Sequence, residues 1–169
     1  MFYGKREKFK KVDKKIGKLF AFLSPNTWTF VSFLFGLVTF SLIYYQQFFI
    51  AGMILLSTGF IDVIDGAVAR VTKKVTKKGA YLDTLVDRYV EGVVIFGLLF
   101  IEFPLIIFPV YVWIFIYLFG SLMTTYVKAS YKEKLGKELL GGMLERAERI
   151  FILSVGLLLA SLNISYLLY

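Results

Sequence analysis

The chain has 169 residues, enough for one domain, and 58% of them are hydrophobic with 18% aromatic, which excludes an ordinary soluble globular protein and points to a membrane protein. Net charge is +8, and there is neither cysteine nor histidine. Disulfides, thiol chemistry, zinc held by cysteine and histidine general bases are therefore excluded, and any catalysis must run on carboxylates, lysines, arginines or hydroxyls.

Residues 5–18 carry Lys5, Arg6, Lys8, Lys10, Lys11, Lys14, Lys15 and Lys18 against Glu7 and Asp13. Phe2, Phe9, Val12, Ile16, Leu19, Phe20 and Phe22 recur at roughly helical spacing, which predicts a basic amphipathic helix on an anionic membrane surface over residues 1–22. A nucleic-acid-binding arm is the competing reading of such a lysine run. It is set aside because a membrane span follows directly, and no nucleic acid is expected as a partner. No apolar core follows the charges closely enough for a secretory signal peptide.

Ser24-Pro25-Asn26-Thr27-Trp28-Thr29 punctuates the chain. Ser24 can cap a helix and Pro25 suits its first turn. A first span is expected over about 28–46 and a second from near Ile50. At about 1.5 Å per residue, Asp62 lies about 18 Å along the second span, past the midplane. Lys73, Lys74, Lys77 and Lys78 then emerge on that side. A third helix opens at Gly79 and runs to about Phe100, where Glu102-Phe103-Pro104 breaks it. A fourth span covers about 105–126 and exits into Lys128, Lys132, Lys134 and Lys137. Gly141-Gly142 interrupts, and a fifth span of about 150–162 follows, with 143–149 expected in the same helix. The fold class is an all-α integral membrane bundle of five to six transmembrane helices behind an N-terminal interfacial helix, with residues 23–169 as the membrane domain. On this alternating topology all 20 basic residues fall on the N-terminal side, so a multi-pass cell-membrane protein with its aspartates facing the cytoplasm is expected.

Four aspartates break the apolar pattern. Intramembrane acids are costly and mark function by default. On helices, Asp62 and Asp65 share a face, as do Asp83 and Asp87. A turn at 72–78 would aim all four at one point, and bound divalent metal best offsets such clustered charge. An all-oxygen site suits Mg²⁺, Mn²⁺ or Ca²⁺. The alternatives are a polar network that only holds the bundle together, and a transport protein with an acid-lined cation pathway. Transport would want polar groups along the whole span, whereas residues 50–60 offer only Ser57 and Thr58.

The pattern Asp62-x2-Asp65-Gly66-x2-Ala69-Arg70-x8-Gly79-x3-Asp83-x3-Asp87 resembles the complete signature of the CDP-alcohol phosphotransferases. The resemblance implies transfer of a phosphatidyl-type group from a CDP-linked lipid to an alcohol, with release of CMP. It implies two Mg²⁺ or Mn²⁺ ions on Asp62, Asp65, Asp83 and Asp87, with Asp87 also the catalytic base. It implies contacts to the CDP moiety from Asn26, Thr29, Asp62, Gly66, Ala69, Arg70 and Gly79. Capping alone would explain Ser24 and Pro25, and small-residue helix packing would explain Gly66 and Ala69.

Tyr126-Val127-Lys128-Ala129 and Gly141-Gly142-Met143-Leu144-Glu145-Arg146-Ala147-Glu148-Arg149 are similar to the branch that uses inositol phosphate. Lys128, Arg146 and Arg149 would then bind the acceptor's phosphate; positive-inside anchoring and pairing with Glu145 and Glu148 are the plainer reading of the arginines. Ser130 stands where that branch has arginine. Glycerol phosphate, serine or another alcohol is the alternative acceptor. The lysine-rich, cysteine-free composition is compatible with a thermophilic or archaeal source and so with an archaetidyl lipid. The family usually has six spans, whereas five are counted here, and a homodimer is expected from resemblance.

Overall fold

The computed structural model describes residues 12–101, 107–137 and 144–167, with side chains only to 162 in the last segment. The basic residues 5–11, the break at Glu102-Phe103-Pro104, Gly141-Gly142-Met143 and the last two residues lie outside the described part.

Every described element is helical. Residues 12–19 form α1. Then come α2 (Pro25–Tyr44), α3 (Phe48–Val71), α4 (Lys77–Gly97) with a 3₁₀ turn at Leu98–Phe100, α5 (Val110–Leu135) and α6 (Arg146–Leu167). Three of them, α2, α3 and α5, are long and apolar enough to cross a membrane. α4 and α6 are of similar length but carry their charges toward one end.

Local chemistry sets the boundaries. Ser24 caps α2 by accepting from Thr27 N at 3.2 Å, with Pro25 in the first turn. α3 ends where Lys73 takes a left-handed φ of +56° and Lys74 N closes onto Ala69 O at 2.9 Å. Thr76 then caps α4, accepting from Gly79 N at 3.0 Å, so α4 starts at Lys77, two residues before the expected Gly79. α5 is the larger departure: it runs from Val110 to Leu135 rather than 105–126. Lys128, Lys132 and Lys134 therefore ride on the helix, whose apolar stems and charged tips suit the interface. Gly136, at φ +65°, stops it. α6 begins at Arg146, so only 146–149 of the expected 143–149 join the last helix: Leu144, at φ +59°, and Glu145 precede it, and 143 lies outside the described residues.

α2 packs against both α3 and α4, and α6 lies against α3. The core holds Ile43, Phe48, Ala51, Leu55, Val94, Ile150 and Leu157. Small residues let the backbones close up: a Cβ on Gly52 would stand 2.9 Å from Leu158 Cγ and 3.0 Å from Ser154 O. The buried hydroxyls of Thr58 and Ser154 are satisfied within their own helices, donating to Leu55 O at 2.6 Å and to Ile150 O at 2.7 Å. α5 is peripheral, burying only Ile114 and Ser121 and turning Phe115, Phe119 and Leu122 outward. Such a surface suits a helix whose solvent is hydrocarbon.

Candidate functional site

The reversal between α3 and α4 brings the acids together. Carboxylate oxygens of Asp62, Asp83 and Asp87 all lie within 4.8 Å of one another. Asp65 sits beside this triad rather than in it: its Oδ2 accepts from Thr29 Oγ1 of α2 at 2.9 Å in a buried contact. Of the four aspartates that the resemblance implies as ligands, three meet here: Asp62, Asp83 and Asp87.

The triad already has one cation. Arg146 Nη1 lies 2.6 Å from Asp62 Oδ1, and Nη2 lies 2.7 Å from Asp87 Oδ1, close but off the hydrogen-bond direction. Three carboxylates against one guanidinium leave a formal excess of two negative charges. Asp83 Oδ1 is buried with no hydrogen-bond partner among the described residues. An all-oxygen set of carboxylates, under-neutralised and with an unpaired buried oxygen, fits a hard divalent cation.

A pocket of about 300 Å³ adjoins the acids, between the start of α2, the end of α3 and the start of α4. Six of the seven residues expected around a CDP moiety line it: Asn26, Thr29, Gly66, Ala69, Arg70 and Gly79. Asp62 is not in its wall, whereas Asp65 and Asp83 are, so the pocket opens onto the acidic cluster. Gly79 is packed: a Cβ there would meet Thr76 Oγ1 at 3.0 Å and Asn26 Oδ1 at 3.5 Å. Over Gly66 lies the Arg70 guanidinium, with Nη1 3.2 Å from where a Cβ would stand. Lys74 and Thr76 also line the pocket and were missed. The Thr76-to-Gly79 cap was the available signal for the second.

Arg70 is held from outside the bundle. Asp13 on α1 accepts from Arg70 Nε at 2.8 Å and from Nη2 at 2.5 Å. These bonds hold the Asp13 carboxyl below the usual carboxylate range.

Arg146 and Arg149, expected together at the acceptor's phosphate, turn to different partners. Arg149 points away from the aspartates: Nε and Nη2 donate to Glu91 at 2.6 and 3.1 Å, and Nη1 donates to Leu144 O at 2.7 Å. Positions three apart on a helix still diverge by about 60°, enough to send one arginine to each acidic partner. Arg88 lies 2.7 Å from Glu91, and Tyr117 OH donates to it at 3.0 Å. This buried network ties α4, α5 and α6 together and was not foreseen. Lys128 meets Glu145 at 2.8 Å at the surface and draws the Glu145 carboxyl down.

A CDP-alcohol phosphatidyltransferase family model matches residues 22–169. The chain is 35% identical over 161 residues to the archaetidylinositol phosphate synthase of Pyrococcus horikoshii, covering 94% of this chain and 83% of that one. It is 28% identical over 155 residues to the bifunctional IPC transferase and DIPP synthase of Archaeoglobus fulgidus, covering 87% of this chain but 30% of that larger protein. Among solved structures, Mycobacterium tuberculosis phosphatidylinositol phosphate synthase with CDP-DAG bound superposes with a TM-score of 0.67 at 26% identity, covering 90% of this chain and 87% of that one.

Proposed function

The chain belongs to the CDP-alcohol phosphatidyltransferase family, and from that premise we propose that it moves a phosphatidyl-type group, archaetidyl in an archaeal host, from a CDP-linked lipid to inositol phosphate. The observation that carries this reading is the meeting of Asp62, Asp83 and Asp87 beside a pocket walled by Asp65 and Arg70. The named relatives in the inositol-phosphate branch support the acceptor.

The pocket takes the CDP moiety. Gly66, Ala69 and Gly79 let it approach the helix backbones, Asn26 and Thr29 face it from α2, and Arg70 meets its diphosphate. Asp62, Asp65, Asp83 and Asp87 would hold the metal, two Mg²⁺ or Mn²⁺ ions in this reading. When bound, the ions offset charge on the diphosphate and on the departing CMP. Asp87 accepts the proton from the acceptor hydroxyl, whose oxygen attacks the lipid-bearing phosphorus. The bond from that phosphorus to CMP breaks, and CMP leaves with the electron pair. Arg146 contacts Asp87, so an acceptor phosphate held there presents its hydroxyl beside the base. Lys128 pairs with Glu145, the neighbour of Arg146, and Arg149 fixes the helix that carries Arg146.

Residues 1–22 serve as the basic interfacial segment and 23–169 as the catalytic domain. The lysine distribution supports a multi-pass protein whose site faces the cytoplasm. The functional unit is a homodimer. The test is CMP release by purified protein from a CDP-linked lipid with a panel of inositol phosphate, glycerol phosphate and serine. Inositol phosphate is expected to give the fastest release; faster release with another acceptor overturns that choice, and no release with any overturns the transferase reading.

A further inference from the structure

Asp13 lies outside the signature and on a different helix from every residue given a role above. It nonetheless bonds Arg70, which lines the pocket. A guanidinium presents five N–H donors in a planar fork. Asp13 takes the Nε edge of Arg70, through Nε and Nη2. Nη1 is left over Gly66, within the pocket wall.

The placement of α1 is set by backbone contact rather than by flexible side chains. A Cβ on Gly17 would stand 2.5 Å from Ala67 O and 2.6 Å from Val71 Cγ2, so only glycine lets α1 lie this close to α3. Beyond α1 the chain is tied down again. Trp28 Nε1 donates to Phe20 O at 3.0 Å, and the Phe20 and Phe22 rings stand edge-on to Trp28.

A plain surface ion pair is the competing account. The side chains are 56% exposed for Arg70 and 31% for Asp13, so the pair adds little to stability. Its larger effect is on conformation. A free arginine at the rim samples many rotamers and must be ordered when ligand binds. One already held by a carboxylate on a docked helix need not be.

We propose that Asp13 is a positioning residue that holds Arg70 over Gly66, so that the free edge of the guanidinium meets the diphosphate of the bound CDP group. The inference rests on the CDP reading of the pocket. It places the effect in donor affinity and not in the chemical step.

The experiment compares wild type, Asp13→Asn, Asp13→Glu, Arg70→Ala and the Asp13→Asn/Arg70→Ala double variant, all as full-length protein in detergent. Calorimetry with CDP and Mg²⁺ reads affinity, steady-state assays read KM and kcat, and a thermal scan reads Tm. Asp13→Asn is expected to weaken CDP by about three- to tenfold, the cost of immobilising one rotamer-rich side chain. KM for the CDP-lipid should rise by the same factor with kcat and Tm unchanged, and Asp13→Glu should recover part of the loss. In the Arg70→Ala background, Asp13→Asn should have no further effect. If Arg70→Ala loses CDP while Asp13→Asn binds like wild type, the inference fails and the pocket reading stands. A loss in Asp13→Asn that persists without Arg70, or that comes with a lowered Tm, makes the role structural and overturns it. Wild type that binds no CDP overturns both.

Discussion

Consider Glu91→Ala. The side chain is almost wholly buried, 1% exposed, and its carboxylate meets Arg149 at 2.6 and 3.1 Å, Arg88 at 2.7 Å and Tyr117 OH at 3.0 Å. Alanine leaves two guanidinium groups facing each other with no anion between them. Removing one partner of a buried pair costs about 3–5 kcal/mol. Two orphaned cations put this variant at the upper end. At about 2–4 °C per kcal/mol for a chain of this size, Tm should fall by about 10–20 °C. Thermal scans in one detergent at one scan rate, followed by tryptophan fluorescence, measure it. Adding Arg149→Met to Glu91→Ala should recover much of the loss, because one unpaired charge is replaced by an apolar chain of similar length. A Glu91→Ala protein that melts within a degree or two of wild type refutes the reasoning. So does an Arg149→Met addition that lowers Tm further.

Arg146→Ala removes the cation that Asp62 and Asp87 share, so Mn²⁺ binding followed by electron paramagnetic resonance should tighten severalfold while KM for inositol phosphate rises; weaker Mn²⁺ binding would count against it. Thr29→Val deletes the donor to Asp65, and loss of a hydrogen bond that orients a metal ligand commonly costs about 10–100-fold in metal affinity, read by the same titration. Chelation should abolish CMP release, and added Mg²⁺ or Mn²⁺ should restore it. Activity undiminished in excess chelator would remove the metal from the account.

The acidic faces were legible because helical periodicity alone decides that positions 62 and 65, or 83 and 87, look the same way. The start of α2 was legible because Ser24 and Pro25 are local signals. Tertiary partners were not. Nothing local says that Thr29 donates to Asp65, 36 positions away, or that Asp13 bonds Arg70 across 57. Arg146 and Arg149 looked equivalent in sequence, and only the placement of Glu91 on α4 separates them. The end of α5 was misjudged because its lysines were taken as an exit from the helix. Gly136 was the better stop signal.

The most direct test follows CMP and lipid product together. Purified wild-type protein, CDP-linked lipid, inositol phosphate and Mg²⁺ should yield CMP and phosphorylated inositol lipid one for one, with Asp87→Asn slower by about 10²–10⁴-fold at unchanged Tm. CMP that forms equally well without acceptor, or at the same rate in the Asp87→Asn protein, would contradict a carboxylate centre built for transfer.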